Sequence, residues 1–144
     1  MKRQGVINQP LACALAGLGH GDRFILCDAG FPIPKNADRV DLALSLGIPT
    51  MKQCLAAILS EVNIQKVTIA VEMQEWNPEG RDYLKSVFKN QQFEEIMQEE
   101  LAERAGDVKF IVRSGELGCY SNIILEAASA VELFKKDLII DLPE

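Results

Sequence analysis

Short apolar segments that are rich in β-branched residues alternate along this chain with segments of helical spacing. Residues 23–28 are almost continuously apolar up to Asp28, which is typical of a strand buried on both faces. Further strands are predicted at 40–44, 66–72, 109–113 and 122–125. Strands separated by helices predict an α/β fold of three layers, with helices on both faces of a central, mostly parallel sheet.

Four helices are predicted, one before the first strand and three between strands. The first two follow Asn8 and Thr50, whose side chains can accept hydrogen bonds from the free backbone N–H groups of a first turn. The last two are mostly polar, so we expect them at the surface. The helices span about residues 9–17, 51–62, 78–91 and 93–104. A length of 144 residues is that of one domain, so we expect residues 1–144 to fold as a single unit.

The charge and the cysteines exclude several functional classes. A net charge of −6 argues against nucleic acid as a partner, because binding phosphates requires clustered lysine and arginine. No apolar run is long enough to span a membrane, and the N-terminus does not have the pattern of a signal peptide. The four cysteines have no paired spacing and are interpreted as reduced thiols, buried except for Cys119. A cytoplasmic location is therefore expected.

Polar residues that could carry chemistry follow the predicted strands. Asp28 ends the first strand, Glu72 ends a middle one, and residues 113–122 connect the last two. Ligands of α/β sheets usually bind at this edge. His20 is the only histidine and stands between two glycines before the first strand. It can reach the same region only if its loop curls back or if a neighbouring subunit supplies it.

An imidazole that exchanges protons near neutral pH, held by a carboxylate, is a sensible acid–base pair, and His20 with Asp28 fits that description. A loop histidine that only binds a backbone carbonyl is an equally good interpretation. Tyr120 offers a ring to stack on sugar carbons and Asn122 an amide for hydroxyl groups, although both could serve packing and turn formation instead. Trp76 is interpreted as a packing or interface residue. Nucleotide-binding glycine motifs and hydrolase serine motifs are absent from the sequence.

Several segments together resemble the D-ribose pyranase family. They lie in the same order over residues 1 to about 125, and no single segment is decisive. The segments are Gly-Val-Ile-Asn at 5–8, Leu-Gly-His-Gly-Asp at 18–22, Asp-Ala-Gly-Phe-Pro-Ile-Pro at 28–34, Arg-Ser-Gly-Glu at 113–116 and Tyr-Ser-Asn-Ile-Ile-Leu at 120–125.

This resemblance implies an enzyme that interconverts the pyranose and furanose forms of D-ribose and supplies furanose to ribokinase. It implies no metal and no organic cofactor. By resemblance, His20 is the proton donor, Asp28 binds substrate, and Tyr120 and Asn122 line the pocket. It further implies a homo-oligomer, commonly a decamer of two stacked pentamers, with active sites between neighbouring subunits.

The chain departs from the family pattern in two places. Gln98 stands where well-known members carry a pocket histidine, and a shift of one residue would put Glu99 there. Glutamine can bind a hydroxyl group but cannot titrate. Members also end soon after the strand at Leu125, so residues 126–144 are an extended C-terminal tail.

Three other functions stay open from the sequence. The first is an L-fucose mutarotase, a related enzyme whose loop typically has histidine at the position of Gly30, so that glycine favours ribose. The second is a sugar-binding protein without catalysis. The third is a redox protein that acts through Cys119.

Overall fold

A computed structural model describes residues 1–143 as an α/β fold built on one six-stranded sheet. The strand order is β2-β5-β1-β6-β3-β4. The elements are α1 (Gln9–Ala16), β1 (Arg23–Cys27), β2 (Arg39–Asp41), α2 (Met51–Leu59), β3 (Ile64–Ala70), α3 (Met73–Trp76), α4 (Pro78–Val87), β4 (Gln92–Ile96), α5 (Gln98–Arg104), a 3₁₀ turn (Ala105–Asp107), β5 (Ile111–Arg113) and β6 (Ile123–Ala127).

The sheet is mostly parallel. Strands β2, β5, β1, β3 and β4 run in one direction, and β6 lies antiparallel between β1 and β3. Four consecutive residues of β1, from Phe24 to Cys27, are fully buried. Because successive side chains of a strand point to opposite faces, both faces of the sheet centre are covered. The predicted α/β class is confirmed.

Strand β6 brings the late part of the chain to the end of β1. The register pairs Ile123 with Leu26, so residues just before β6 lie beside residues just after β1. An antiparallel strand begins at the edge where its neighbours end. The segment that contains Tyr120 and Asn122 therefore meets Asp28, although almost a hundred residues separate them in the chain.

The two predicted helix caps are confirmed. The Asn8 side chain accepts from the N–H of Leu11, and the Thr50 side chain accepts from the N–H of Gln53 at the start of α2. The side chain of Gln53 in turn accepts from the N–H of Thr50, which completes a capping box. These caps fix where α1 and α2 begin.

The predicted helix at 93–104 is partly wrong. Its first residues form β4, an edge strand that pairs in parallel with β3, and only Gln98–Arg104 is helical. The polar helix predicted at 78–91 ends earlier, at Val87. The strand predicted at 40–44 is shorter and spans Arg39–Asp41.

The cysteines match the prediction in part. Burial raises the pKa of Cys27 to about 12 and that of Cys54 to about 11, as expected of inert buried thiols. Cys13 is exposed, contrary to the prediction, and so is Cys119. None of the helices within residues 1–143 combines the length and apolar character that a membrane span needs.

Candidate functional site

An open cleft of about 600 Å³ lies at the edge of the sheet where β1 and β3 end. Four of the five predicted site residues, Asp28, Gln98, Tyr120 and Asn122, line it. The other lining residues are Gly30, Phe31, Pro32, Trp76, Glu116, Leu117, Gly118 and Cys119. A cleft at the carboxyl ends of parallel strands is the usual ligand site of an α/β sheet.

Two hydrogen bonds hold Asp28 just after the end of β1. Its N–H donates to Oδ1 of Asn122 at 3.0 Å, and its own Oδ1 accepts from the N–H of Gly30 at 3.0 Å. Burial raises the pKa of Asp28 above its ordinary value, partly opposed by the hydrogen bond from Gly30, and the negative charge of Glu116 raises it further. The cleft thus holds a carboxyl group that is costly to ionise.

Asn122 is a buried polar residue whose side-chain amide has both a structural contact and a place on the cleft wall. It is only 3% exposed, and its Oδ1 is occupied by the N–H of Asp28. The Nδ2 group of the same amide is its remaining donor. Asn122 therefore both fixes the backbone at Asp28 and lines the cleft as a hydrogen-bond donor.

Tyr120 has a strained backbone. Its φ angle of +54° lies in the left-handed region, which a bulky residue rarely adopts. The N–H of Asn122 closes a tight turn by donating to the carbonyl of Tyr120 at 2.7 Å. This turn places the half-buried ring of Tyr120 on the wall of the cleft.

Gln98 reaches the cleft because α5 begins there. Both carboxylate oxygens of Glu72 accept from the N–H of Gln98, each at 3.0 Å. The Oε1 atom of Gln98 is buried and has no hydrogen-bond partner within residues 1–143. A buried acceptor without a partner is costly, so a hydroxyl group that reached this oxygen would form a favourable hydrogen bond. Glu72, predicted as a candidate for chemistry, acts as the anchor of Gln98 instead.

Glu116 organises the loop that forms one side of the cleft, and the sequence reasoning did not single it out as a site residue. Its Oε1 accepts from the N–H groups of Leu117 and Gly118, and its Oε2 accepts from the N–H of Met51 at the start of α2. Burial opposes ionisation of Glu116, but the hydrogen bonds from Gly118, Met51 and Leu117 outweigh it and keep its pKa below the ordinary value. Glu116 is thus a fixed negative charge beside Asp28.

Asn77 ties the same loop to the other side of the cleft. Its Oδ1 caps α4 by accepting from the N–H of Gly80, while Nδ2 donates to the carbonyl of Cys119 and to Oγ of Ser121. The Asn-Pro pair before α4 is a helix-start signal that could have identified this residue. The neighbouring Trp76 is 61% exposed and lines the cleft, so it does not pack inside this chain.

His20 does not line the cleft of its own chain. His20 precedes β1 and Asp28 follows β1. The strand between them spans roughly 15 Å at about 3.3 Å per residue. The loop does not curl back, because Gly21 and Asp22 pair with Ala127 at the far end of β6. The predicted contact between His20 and Asp28 is therefore absent within one chain. His20 is nevertheless exposed, and its Nδ1 accepts from the N–H of Ser129 at 3.0 Å.

Comparisons with known proteins agree on one group of relatives. The sequence model of the RbsD / FucU transport protein family matches residues 1–130. D-ribose pyranase 2 of Rubrobacter xylanophilus is 44% identical over 135 residues, which are 93% of this chain and 88% of that protein.

Two solved structures have the same fold. Bacillus subtilis RbsD, determined in complex with D-ribose, superposes with a TM-score of 0.87 at 35% identity and covers 91% of this chain and all of its own. The fucose mutarotase of Streptococcus pneumoniae, determined in complex with L-fucose, covers 91% of this chain and all of its own, with a TM-score of 0.70. Its identity is 20%, so that likeness concerns the fold alone.

Proposed function

The chain belongs to the RbsD/FucU family, and we propose that it is a D-ribose pyranase, which interconverts the pyranose and furanose forms of ribose. The relative that is 44% identical carries that name, and the neighbour that is 35% identical was solved with D-ribose. The identity to the fucose mutarotase is much lower, at 20%. Ribose is therefore favoured over fucose as the substrate.

One observation carries the proposal for the site. Asp28, Gln98, Tyr120 and Asn122, chosen from the sequence, converge on one open cleft. Their groups suit a small polyhydroxylated ring: a carboxyl group, an unpartnered amide oxygen on Gln98, an amide donor on Asn122, and an aromatic face on Tyr120. Hydroxyl groups need both donors and acceptors, and the sugar carbons suit an aromatic surface.

The reaction requires proton transfers between oxygen atoms. The bond between C1 and the ring oxygen O5 breaks, and the 4-hydroxyl group adds to C1. In the first step O5 gains a proton and the anomeric hydroxyl group loses one, which gives the open-chain aldehyde. In the second step the 4-hydroxyl oxygen loses a proton and the carbonyl oxygen gains one, which restores the anomeric hydroxyl group. We assign the transfers at O5 and at the 4-hydroxyl oxygen to His20, a contribution of roughly 10² to 10⁴-fold. Asp28, Gln98, Tyr120 and Asn122 bind and orient the sugar.

The position of His20 favours a site shared between subunits. His20 lies at the opposite edge of the sheet from the cleft of its own chain, so the proposal places it in the cleft of a partner subunit. Large apolar side chains are exposed beside the cleft and in the adjoining loop: Leu44, Leu46, Ile48, Trp76 and Leu117. Exposed apolar clusters of this kind are typical of interfaces between proteins. A homo-oligomer is thus part of the proposal, and the decamer is the form that the family resemblance implies.

The proposal covers residues 1–144 as one ribose-pyranase-like domain with a C-terminal tail. The tail spans residues 126–144, and its first two residues complete β6. A cytoplasmic location, where ribose is phosphorylated after uptake, is also proposed. It is supported by the cysteines, since all four are unpaired thiols.

Saturation-transfer NMR on D-ribose tests the function and the substrate together. The purified protein should accelerate exchange between the pyranose and furanose signals of ribose more than exchange between the anomers of L-fucose. His20→Ala should reduce the acceleration by at least about 10²-fold. Asp107→Asn, at an exposed residue that does not line the cleft, is the matched control and should leave the exchange rate unchanged.

Three outcomes would contradict the proposal in different ways. Faster exchange of fucose than of ribose would indicate a fucose mutarotase. Binding of ribose without faster exchange would indicate a sugar-binding protein. Near-normal exchange in the His20→Ala variant would remove His20 from its role while leaving the enzymatic function in place.

A further inference from the structure

The segment that starts at Ser129, nearly all of which lies beyond residue 130 where the family match ends, folds back onto the loop that carries His20. A tight turn begins at Ser129, whose Oγ accepts from the N–H of Val131, and continues with the N–H of Phe134 donating to the carbonyl of Val131 at 3.0 Å. An ion pair between Lys135 and Glu132 at 2.7 Å adds to the same turn. The turn points Phe134 toward the imidazole.

Two contacts from this segment hold the imidazole of His20. The N–H of Ser129 donates to Nδ1 at 3.0 Å, so in the neutral ring Nδ1 is the acceptor and Nε2 carries the proton. The Phe134 ring lies 4.7 Å from the imidazole, centroid to centroid, at an angle of 53°. The hydrogen bond selects one tautomer, and the aromatic contact covers one edge or face of the ring.

The tail is also anchored by residues that follow Phe134 in the chain. The side chain of Asn90 donates to the carbonyl of Asp137 at 2.9 Å, and the N–H of Ile139 donates to the carbonyl of Val87 at 3.2 Å. Leu138 and Ile140 pack against the hydrophobic core. Phe134 therefore belongs to a segment that is fixed at both ends, and its position beside His20 is set by the fold.

We propose that Phe134 is a positioning residue, which holds the imidazole of His20 in the orientation needed for proton transfer to the sugar. The inference rests on the proposed function, in which His20 is the acid–base group. An exposed histidine in a glycine-flanked loop has several accessible rotamers, and each unproductive one lowers the rate. The Ser129 N–H fixes one atom of the ring, and the Phe134 contact restricts the rotation that remains.

NMR of the imidazole tests the contact without any measurement of activity. His20 is the only histidine of the chain, so its ring signals need no assignment by mutation. In the wild-type protein the ring current of Phe134 should shift the His20 ring protons, and at a pH where the ring is neutral the ¹⁵N spectrum should show Nδ1 as the unprotonated nitrogen. Phe134→Ala should remove the ring-current shift, whereas Leu133→Ala, at an exposed neighbour, should preserve it.

Kinetics then test the role. Phe134→Ala should lower kcat for ribose exchange by roughly threefold to tenfold with little change in KM, because orientation and not sugar binding is affected. Phe134→Tyr keeps the aromatic ring and should restore the wild-type rate. Leu133→Ala should match the wild-type protein in both constants, which separates the effect from a general loosening of the tail.

The outcomes separate this inference from the proposed function. No accelerated exchange in the wild-type protein would remove the proposed function and with it the role of Phe134. Accelerated exchange that depends on His20 but is unchanged by Phe134→Ala would overturn only the role of Phe134. An equal loss of rate in Phe134→Tyr and Phe134→Ala would also overturn it, because the aromatic face would then be irrelevant.

Discussion

In the proposed site, Asp28 is subject to two opposing physical demands. Binding a sugar hydroxyl group favours an exposed carboxyl group, whereas its place between the end of β1 and the loop 114–122 partly buries it. The neighbouring charge of Glu116, fixed by three backbone N–H groups, makes ionisation of Asp28 still more costly. Strained or poorly solvated groups of this kind are typical of sites selected for function at the expense of stability.

The raised pKa of Asp28 predicts how its substitution changes stability with pH. The unfolded carboxyl group ionises near its ordinary value and the folded one at a higher pH, so between the two values the folded state binds more protons. The free energy of unfolding of the wild-type protein therefore falls as the pH rises through that interval. The side-chain amide of the Asp28→Asn variant does not titrate, so the variant should become more stable relative to the wild-type protein on going from about pH 4 to neutral pH.

Urea unfolding at a series of pH values, monitored by circular dichroism, measures this difference. Asp107→Asn, at an exposed aspartate that does not line the cleft, should show a much smaller trend. A stability difference for Asp28→Asn that stays constant with pH would contradict the prediction.

In the same variant, loss of a hydrogen bond from substrate to a charged group should slow ribose exchange by roughly tenfold to a hundredfold.

At the scale of elements, β4 shows what the sequence pattern could not specify. Glu94 and Glu95 are good helix formers in a polar segment, so the local pattern predicts a helix over 93–104. In the structure β4 is an edge strand, where one ladder is open and charged side chains are favoured. Glu94 binds Lys66 and Arg104, and Glu95 binds Arg81. The ladder with β3 holds this segment as a strand and the ion pairs add to it, and neither is encoded in a local pattern.

Central strands were easier to predict than this edge strand. The strand β1 is apolar on both faces because both faces are covered, which gives an uninterrupted signal in the sequence. Asp28 could be chosen because it ends that strand, and Asn122 because it begins β6 at the same edge. Asn77 and Glu116 act through hydrogen bonds to backbone groups that are distant in the chain. The sequence indicates Asn77 only as a helix cap, and it gives no signal for Glu116. Gln98 was found by resemblance alone.

Glu94 should stabilise the junction of β4, β3 and α5. Hydrogen bonds from Lys66 and Arg104 lower its pKa to about 2, and it also accepts from the hydroxyl group of Thr68. The lowered pKa means that this stability is present above the ordinary pKa of 4.5 and is lost as the pH falls toward about 2. Because the carboxylate is partly solvated, Glu94→Gln should cost about 1 kcal/mol at pH 7.

Thermal or urea unfolding from pH 7 down to pH 3 checks this expectation. The difference between wild-type protein and Glu94→Gln should shrink as the pH decreases. Glu103→Gln changes a carboxylate of α5 that has no ion pair within residues 1–143, and it should have little effect on stability at either pH. A Glu94→Gln cost that is independent of pH would show that packing, not charge, is responsible. Ribose exchange should be unaffected, since Glu94 does not line the cleft.

At the scale of the whole molecule, the sheet separates the two halves of the proposed site. The cleft lies where β1 ends, and His20 lies before β1 begins. The hydrogen bonds of Gly21 and Asp22 with Ala127 hold the His20 loop at its own edge. A hinge motion within one chain would have to break these bonds and the sheet pairing beside them. An assembly in which one protomer supplies His20 to its partner requires no such cost.

Mixed oligomers test this separation directly. His20→Ala has an intact cleft and no imidazole, while Asp28→Asn has an imidazole and a defective cleft. If each site combines a cleft from one chain with His20 from another, random assembly of equal amounts of the two variants gives complete sites at about one quarter of positions. Co-expression with two affinity tags and purification through both should therefore yield ribose exchange well above that of either variant alone. If both groups came from one chain, the exchange rate of the mixed oligomers would only be the average of the rates of the two variants. As a control, mixing the two purified variants without subunit exchange should give that same average.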